Sequence, residues 1–116
     1  MLTTPDCLLL SMPASKAAPG LARTLTMARL RKWGCAHISD DAFLIASELI
    51  SNAVVATPGE EIRYQCSRDV AGVLIAVWDA SPARPRGLPI VAALAAECGY
   101  SPDPTGGKWV WARLKP

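Results

Sequence analysis

The sequence predicts an α+β fold, a two-layer sandwich in which about three helices cover one face of a mostly antiparallel, mixed sheet. Three observations lead there. Residues 40–57 have strong helical periodicity, several short β-like runs are bounded by Pro, Gly or Asp, and the predicted elements run strand, helix, helix, strand, strand, helix, strand. Helices grouped in this way, rather than alternating with every strand, belong on one side of an antiparallel sheet. The 116 residues, 51% hydrophobic and 19% charged, suit a single domain over 1–116.

The first strand is the apolar run 7–12, CLLLSM, closed by Pro13, which places it at an edge because proline cannot continue a ladder. Residues 17–33 carry Leu21, Leu25, Ala28 and Trp33 near helical period, with Arg23, Arg29, Arg31 and Lys32 on the other side, and Gly34 stops them. The basic residues suit a solvated face and the negative end of the helix dipole. In 40–57, Phe43, Leu44, Ile45, Leu49, Ile50, Ala53 and Val54 form the apolar stripe, and Ser39 or Asp40 is placed to cap the first free amides. Pro58 and Gly59 end this helix.

In 61–68, Ile62, Tyr64 and Cys66 alternate with Arg63, Gln65 and Ser67, the pattern of a strand with one wet face. The run 73–78 is apolar on both faces and so more central, and it ends at Asp79. A proline-rich, basic connector over 82–86 leads through Gly87 into a third helix, with Leu88, Val91, Leu94 and Ala95 in phase and Gly99 as its stop. A loop over 102–107 precedes a last strand, 108–114, rich in Trp and Val.

Net charge is +2 and the pI about 8.4, with no basic run longer than 29–32, so direct nucleic-acid binding is not expected. Apolar runs fall short of the ~20 residues of a membrane helix and no secretory leader is seen, which predicts a soluble, cytoplasmic protein without membrane contact. Cys7, Cys35, Cys66 and Cys98 are scattered, and His37 adds no ligand spacing, so the thiols read as small apolar residues in a reducing compartment. Two disulfides remain formally open, in any of three connectivities.

Glu48 and Asn52 stand four residues apart, a turn apart on one helix face, beside the apolar stripe. Alone, such a pair belongs on a solvated flank. Asp79 shares a strand face with Val77 and Ile75, and a carboxylate after two aliphatic side chains at a strand end reads as a ligand contact. Alone, it reads as the opening of a turn.

Taken together, the pieces Glu48-Leu49-Ile50-Ser51-Asn52-Ala53, Val77-Trp78-Asp79-Ala80-Ser81, Arg86-Gly87-Leu88 and Gly106-Gly107-Lys108 resemble the histidine-kinase-like (Bergerat) ATPase fold. Within it the chain is similar to the small anti-sigma-factor serine/threonine-protein kinases of actinobacterial type, over nearly its whole length. The resemblance implies ATP and Mg²⁺ as cofactors, Glu48 as catalytic base, Asn52 as magnesium ligand and Asp79 as the acceptor of the adenine amino group. Ser81, Arg86, Gly87, Leu88, Gly107 and Trp109 would complete the nucleotide contacts. It implies a homodimer acting on a sigma factor, or on an antagonist protein phosphorylated on serine.

The chemistry agrees with those roles. Mg²⁺ keeps several waters, so one carboxamide suffices beside the phosphates. A carboxylate one turn earlier can take the proton of an attacking hydroxyl. Backbone amides at a helix start favour an anion near Gly87. The sequence also departs from the family. Only residues 83–86 separate Pro82 from Gly87, where relatives carry a longer mobile lid. Pro85 replaces the first glycine of the Gly-x-Gly turn, removing an amide donor. Ser81 stands where glycine is frequent. Arg84 and Arg86 could grip phosphates in compensation. Trp109 lies where relatives often have Thr. Pointing inward, it would crowd the base; pointing outward, it would form an exposed aromatic pair with Trp111. Alternation leaves both open, because Val110 and Ala112 are apolar too. Two other readings therefore stand beside the ATP-binding regulator: a non-catalytic protein-binding module on the same scaffold, and an unrelated α+β domain with coincident motifs.

Overall fold

The structure is a computed structural model that describes residues 2–4, as backbone, and residues 6–115 with their side chains. The elements are β1 (Leu2–Thr4), β2 (Cys7–Pro13), α1 (Ala18–Lys32), α2 (Ser39–Ala56), β3 (Glu61–Asp69), β4 (Gly72–Asp79), α3 (Pro89–Leu94), β5 (Glu97–Pro102) and β6 (Lys108–Leu114). The strands form one sheet in the order β1-β2-β3-β4-β6-β5, every described pairing antiparallel. The predicted two-layer α+β architecture is present, with the helices on one face.

Period-two alternation builds the core. Leu8 and Met12 of β2, Ile62, Tyr64 and Cys66 of β3, Val73, Ile75 and Val77 of β4, and Val110, Ala112 and Leu114 of β6 are all buried and share the helix-facing side. Against them α2 lays Ala42, Ile45, Ala46, Leu49, Ile50 and Ala53, and α1 lays Ala18, Ala22 and Leu30. A buried bond between Thr26 Oγ1 and the Tyr64 hydroxyl ties α1 to β3, and burial holds the Tyr64 phenol well above its ordinary pKa.

Four details differ from the expectations above. The first predicted strand is not at the edge: β1 covers its outer side, and Pro13 is its last residue, opposite Glu61. No side chain caps α2. The chain instead enters through a 3-10 turn, Ala36–Ile38, although Asp40 and Asp41 remain in the first turn, where the helix dipole favours acids. The third helix is one and a half turns long and stops at Leu94. The stretch expected to complete it and open a loop is instead β5, paired along β6.

Candidate functional site

Glu48 and Asn52 project from the central helix into one cavity of about 280 Å³, walled otherwise by Ser51, Val55, Arg86, Gly87 and Leu88. Their position follows from α2 packing across β4 and β6 through Ile45, Leu49 and Ala53, which turns the next helical face toward the irregular segment 80–88. Asn52 is 8% exposed and Glu48 half-buried. Among the described residues neither side chain is engaged in a hydrogen bond or ion pair. A second cavity, of about 160 Å³, adjoins the first and shares Asn52, Val55 and Arg86 with it; Ser81, Pro85 and Lys108 contribute to its wall.

Behind the second cavity lies Asp79, fully buried at the end of β4. Its Oδ1 accepts from the Lys108 ammonium at 2.8 Å and from the Ser81 amide at 2.9 Å. Lys108 also donates to the Ser81 carbonyl at 3.2 Å. The other carboxylate oxygen, Oδ2, is buried and has no partner among the described residues. Such an acceptor is held at a cost of about 1–3 kcal/mol until a donor reaches it.

The structure thus brings together Glu48, Asn52, Arg86, Gly87 and Leu88 around one cavity, and Asn52, Ser81, Arg86 and Lys108 around its neighbour, with Asp79 just behind. Two expected contacts are not among them. Trp109 points to the opposite, helix-free face of the sheet, where its indole donates to Asp103 Oδ2 at 3.0 Å. It pairs there across the strands with Trp78, over which Arg63 stacks at 4.2 Å. Asp79 and Lys108 are the register partners one residue further on, so Lys108, not Trp109, shares the inner face with the carboxylate. Gly107 serves packing: with φ at +75°, a Cβ on it would lie 2.1 Å from the Asp79 carbonyl oxygen.

The phosphate cradle expected at a helix start is also altered. α3 begins at Pro89, which has no amide hydrogen, and spans six residues, so the exposed backbone at Gly87 acts without a helix of useful length behind it. Segment 82–86 itself walls the smaller cavity, with Ala83 N–H bonded to Ser81 Oγ at 3.2 Å. Lys108 is the residue that sequence reasoning missed. A signal was present: Arg113 lies in phase with Trp109 and Trp111, and the other phase, Lys108, Val110, Ala112 and Leu114, is the one a core accepts.

A purine nucleotide with magnesium fits this donor set in definite respects. Among the described residues, an unpartnered buried acceptor suits an amino group, a free carboxamide suits a hydrated cation, and two unpaired loop arginines suit phosphates. Among the described residues there is no group of three or more His, Cys, Asp or Glu that could hold a metal, and no helix is long and apolar enough to cross a membrane.

No protein-family model and no curated protein matches the sequence. The fold is matched by the crystal structure of the RsbU and RsbW domains of Rv1364c from Mycobacterium tuberculosis, with a TM-score of 0.78 and 21% identity. The match covers 94% of this chain and 31% of that one, so this chain spans about a third of the length of its structural neighbour. The likeness is one of fold, and that fold is the two-layer α+β sandwich that the sequence predicted.

Proposed function

We propose that this protein is a cytoplasmic ATP-binding regulator of the anti-sigma type, similar to its actinobacterial members, acting as a homodimer on a sigma factor or its antagonist. One observation carries the reading: Glu48 and Asn52, both unengaged among the described residues, face a common cavity, and the cavity adjoining it is walled by Ser81 and Lys108, the partners of a buried Asp79 whose Oδ2 has no donor among those residues. In this reading Asn52 holds Mg²⁺, Asp79 Oδ2 accepts from the adenine amino group, and Arg86 with the Gly87 backbone faces the phosphates. ATP, when bound, supplies the transferable phosphoryl group. Glu48 receives the proton of an incoming serine hydroxyl on its carboxylate, which a half-buried acid beside a cation site can do.

A second reading has an observation of its own. Lys108 covers Asp79, and the short 82–86 segment closes over the base cavity, which favours a module that regulates by protein contact without nucleotide. Titration with a fluorescent ATP analogue, with Mg²⁺ and with EDTA, separates the two. Saturable binding that is strengthened by Mg²⁺ in the parent, and loses that dependence in Asn52→Ala, supports the first. No saturation up to about 1 mM, the weak end of specific affinity, leaves the second.

A further inference from the structure

We propose that the open edge of β5, with the groove beside it, binds an extended segment of a partner protein, apolar in its middle and acidic at its end, as an added strand. β5 is the last strand of the sheet, and all of its residues but Gly99 are exposed. The Asp103 amide donates to the Gly107 carbonyl at 3.0 Å, in register with the β5–β6 pairing. Backbone groups alternate in direction along an antiparallel ladder, so Glu97, Gly99 and Ser101 turn theirs to β6, while Cys98 and Tyr100 turn theirs outward. Among the described residues these outward groups have no partner. Pro102 falls in the same outward phase, where its lack of an N–H costs no bond to β6. Such an edge is a template for one more strand.

The chemistry of the occupant follows from the groove, a cavity of about 340 Å³ beside β5 and α3. Cys98 and Tyr100 share the helix side of the sheet with their ladder partners Ala112 and Val110, both buried, yet α3 is too short to cover them. Val91 and Val110 give the groove an apolar lining, and Arg84 and Arg86 line it too, without a partner among the described residues. Lys108, opposite Pro102 in the ladder, shares the adjoining cavity with both arginines, so they stand toward the Pro102 end of β5. In an added strand the residues opposite Cys98 and Tyr100 point into this groove, where aliphatic side chains suit the lining and a carboxylate suits the guanidiniums. Charge argues against a second copy of this chain: pairing β5 with itself would bring two such arginine loops to one face of the shared sheet. Glu48, Asn52 and Asp79 do not line the groove, so it can be filled whether or not a nucleotide binds.

The test is fluorescence anisotropy of the full chain with fluorescein-labelled Glu-Ser-Val-Ser-Ile-Ser-Glu, whose odd positions face the groove with an acid at either end. The parent is expected to saturate below about 1 mM, and to bind the same peptide with lysine at both ends about tenfold more weakly. Arg84→Glu is expected to abolish or reverse that preference. Cys98→Pro removes an outward amide and no bond to β6, and is expected to bind about fivefold or more weakly than Cys98→Ser, which keeps the amide. A parent that does not saturate by about 1 mM, or that binds both peptides alike, overturns the proposal, as does a folded Cys98→Pro that binds as Cys98→Ser does. A parent dimer in sedimentation that Cys98→Pro dissociates would give the edge to a second copy and overturn it equally. The comparison of the two peptides requires no variant to fold.

Discussion

Removing the lysine from the Asp79–Lys108 pair should be among the most damaging single changes in the chain. Both side chains are buried, at 0% and 4% exposure, and the two groups meet at 2.8 Å. Lys108→Met leaves a carboxylate out of water with one amide donor, from Ser81, for its two oxygens. Breaking a buried ion pair from one side costs about 3–5 kcal/mol. For 116 residues the whole stability is of the order of 6–17 kcal/mol, so this one change takes a large share of it. Asp79→Asn should cost less, since its amide can still bond Ser81 but leaves the ammonium without a counter-charge. The double variant Asp79→Asn/Lys108→Met should return to within about 2 kcal/mol of the parent, because no charge is left buried. Urea unfolding followed by tryptophan fluorescence reads this directly, with midpoint shifts of about 2 M for the lysine variant at a typical slope. A lysine variant within about 1 kcal/mol of the parent, or a double variant as unstable as the two singles added together, would refute the reasoning.

Other expectations follow from the same structure. Gly107→Ala should lose more than about 2 kcal/mol in urea unfolding, because φ is +75° and the new Cβ meets the Asp79 carbonyl, whereas Gly20→Ala in α1, with open space around it, should be neutral or gain up to about 1 kcal/mol. In native protein a thiol reagent at pH 8 should label exposed Cys98 and spare Cys66, whose thiol burial pushes up to about 12, until urea exposes it. Cys66 also sets an alkaline limit: its folded pKa is raised, so its share of stability is intact below the unfolded thiol value and is lost as pH rises toward about 12. Asp103 runs the other way. Bonds from the Thr105 hydroxyl and amide, and from the Trp109 indole, hold its carboxyl below the usual range. Its contribution is therefore present above the unfolded carboxylate value and lost as pH falls through the lower native one. Acid titration of stability should show a shallower loss in Asp103→Asn.

The parts of the fold that were legible are those with a wet face and a dry one. β3 alternates in both sequence and burial, and α2 has its apolar stripe where the periodicity put it. β5 was not legible for the same reason reversed: Cys98 and Tyr100 are exposed on one side of this edge strand, Glu97 and Ser101 on the other, and the alanine run before it imitates a longer helix. At the site, the helix pair Glu48 and Asn52 could be placed together from spacing alone. The depth of Asp79 could not, because it depends on a strand neighbour 29 residues away folding its ammonium onto the carboxylate. The direction of Trp109 needed the β4–β6 register, which sets Trp109 against Trp78 and leaves Lys108 for Asp79.

The indoles on the bare side of the sheet have an optical consequence. Trp78 and Trp109 are cross-strand neighbours, Trp111 lies two residues along the same strand face, and Trp33 sits apart at the end of α1. Three of four chromophores are thus clustered within energy-transfer range on a surface turned away from the Glu48 cavity. Intrinsic emission is dominated by that surface, and an event on the helix side leaves it largely dark.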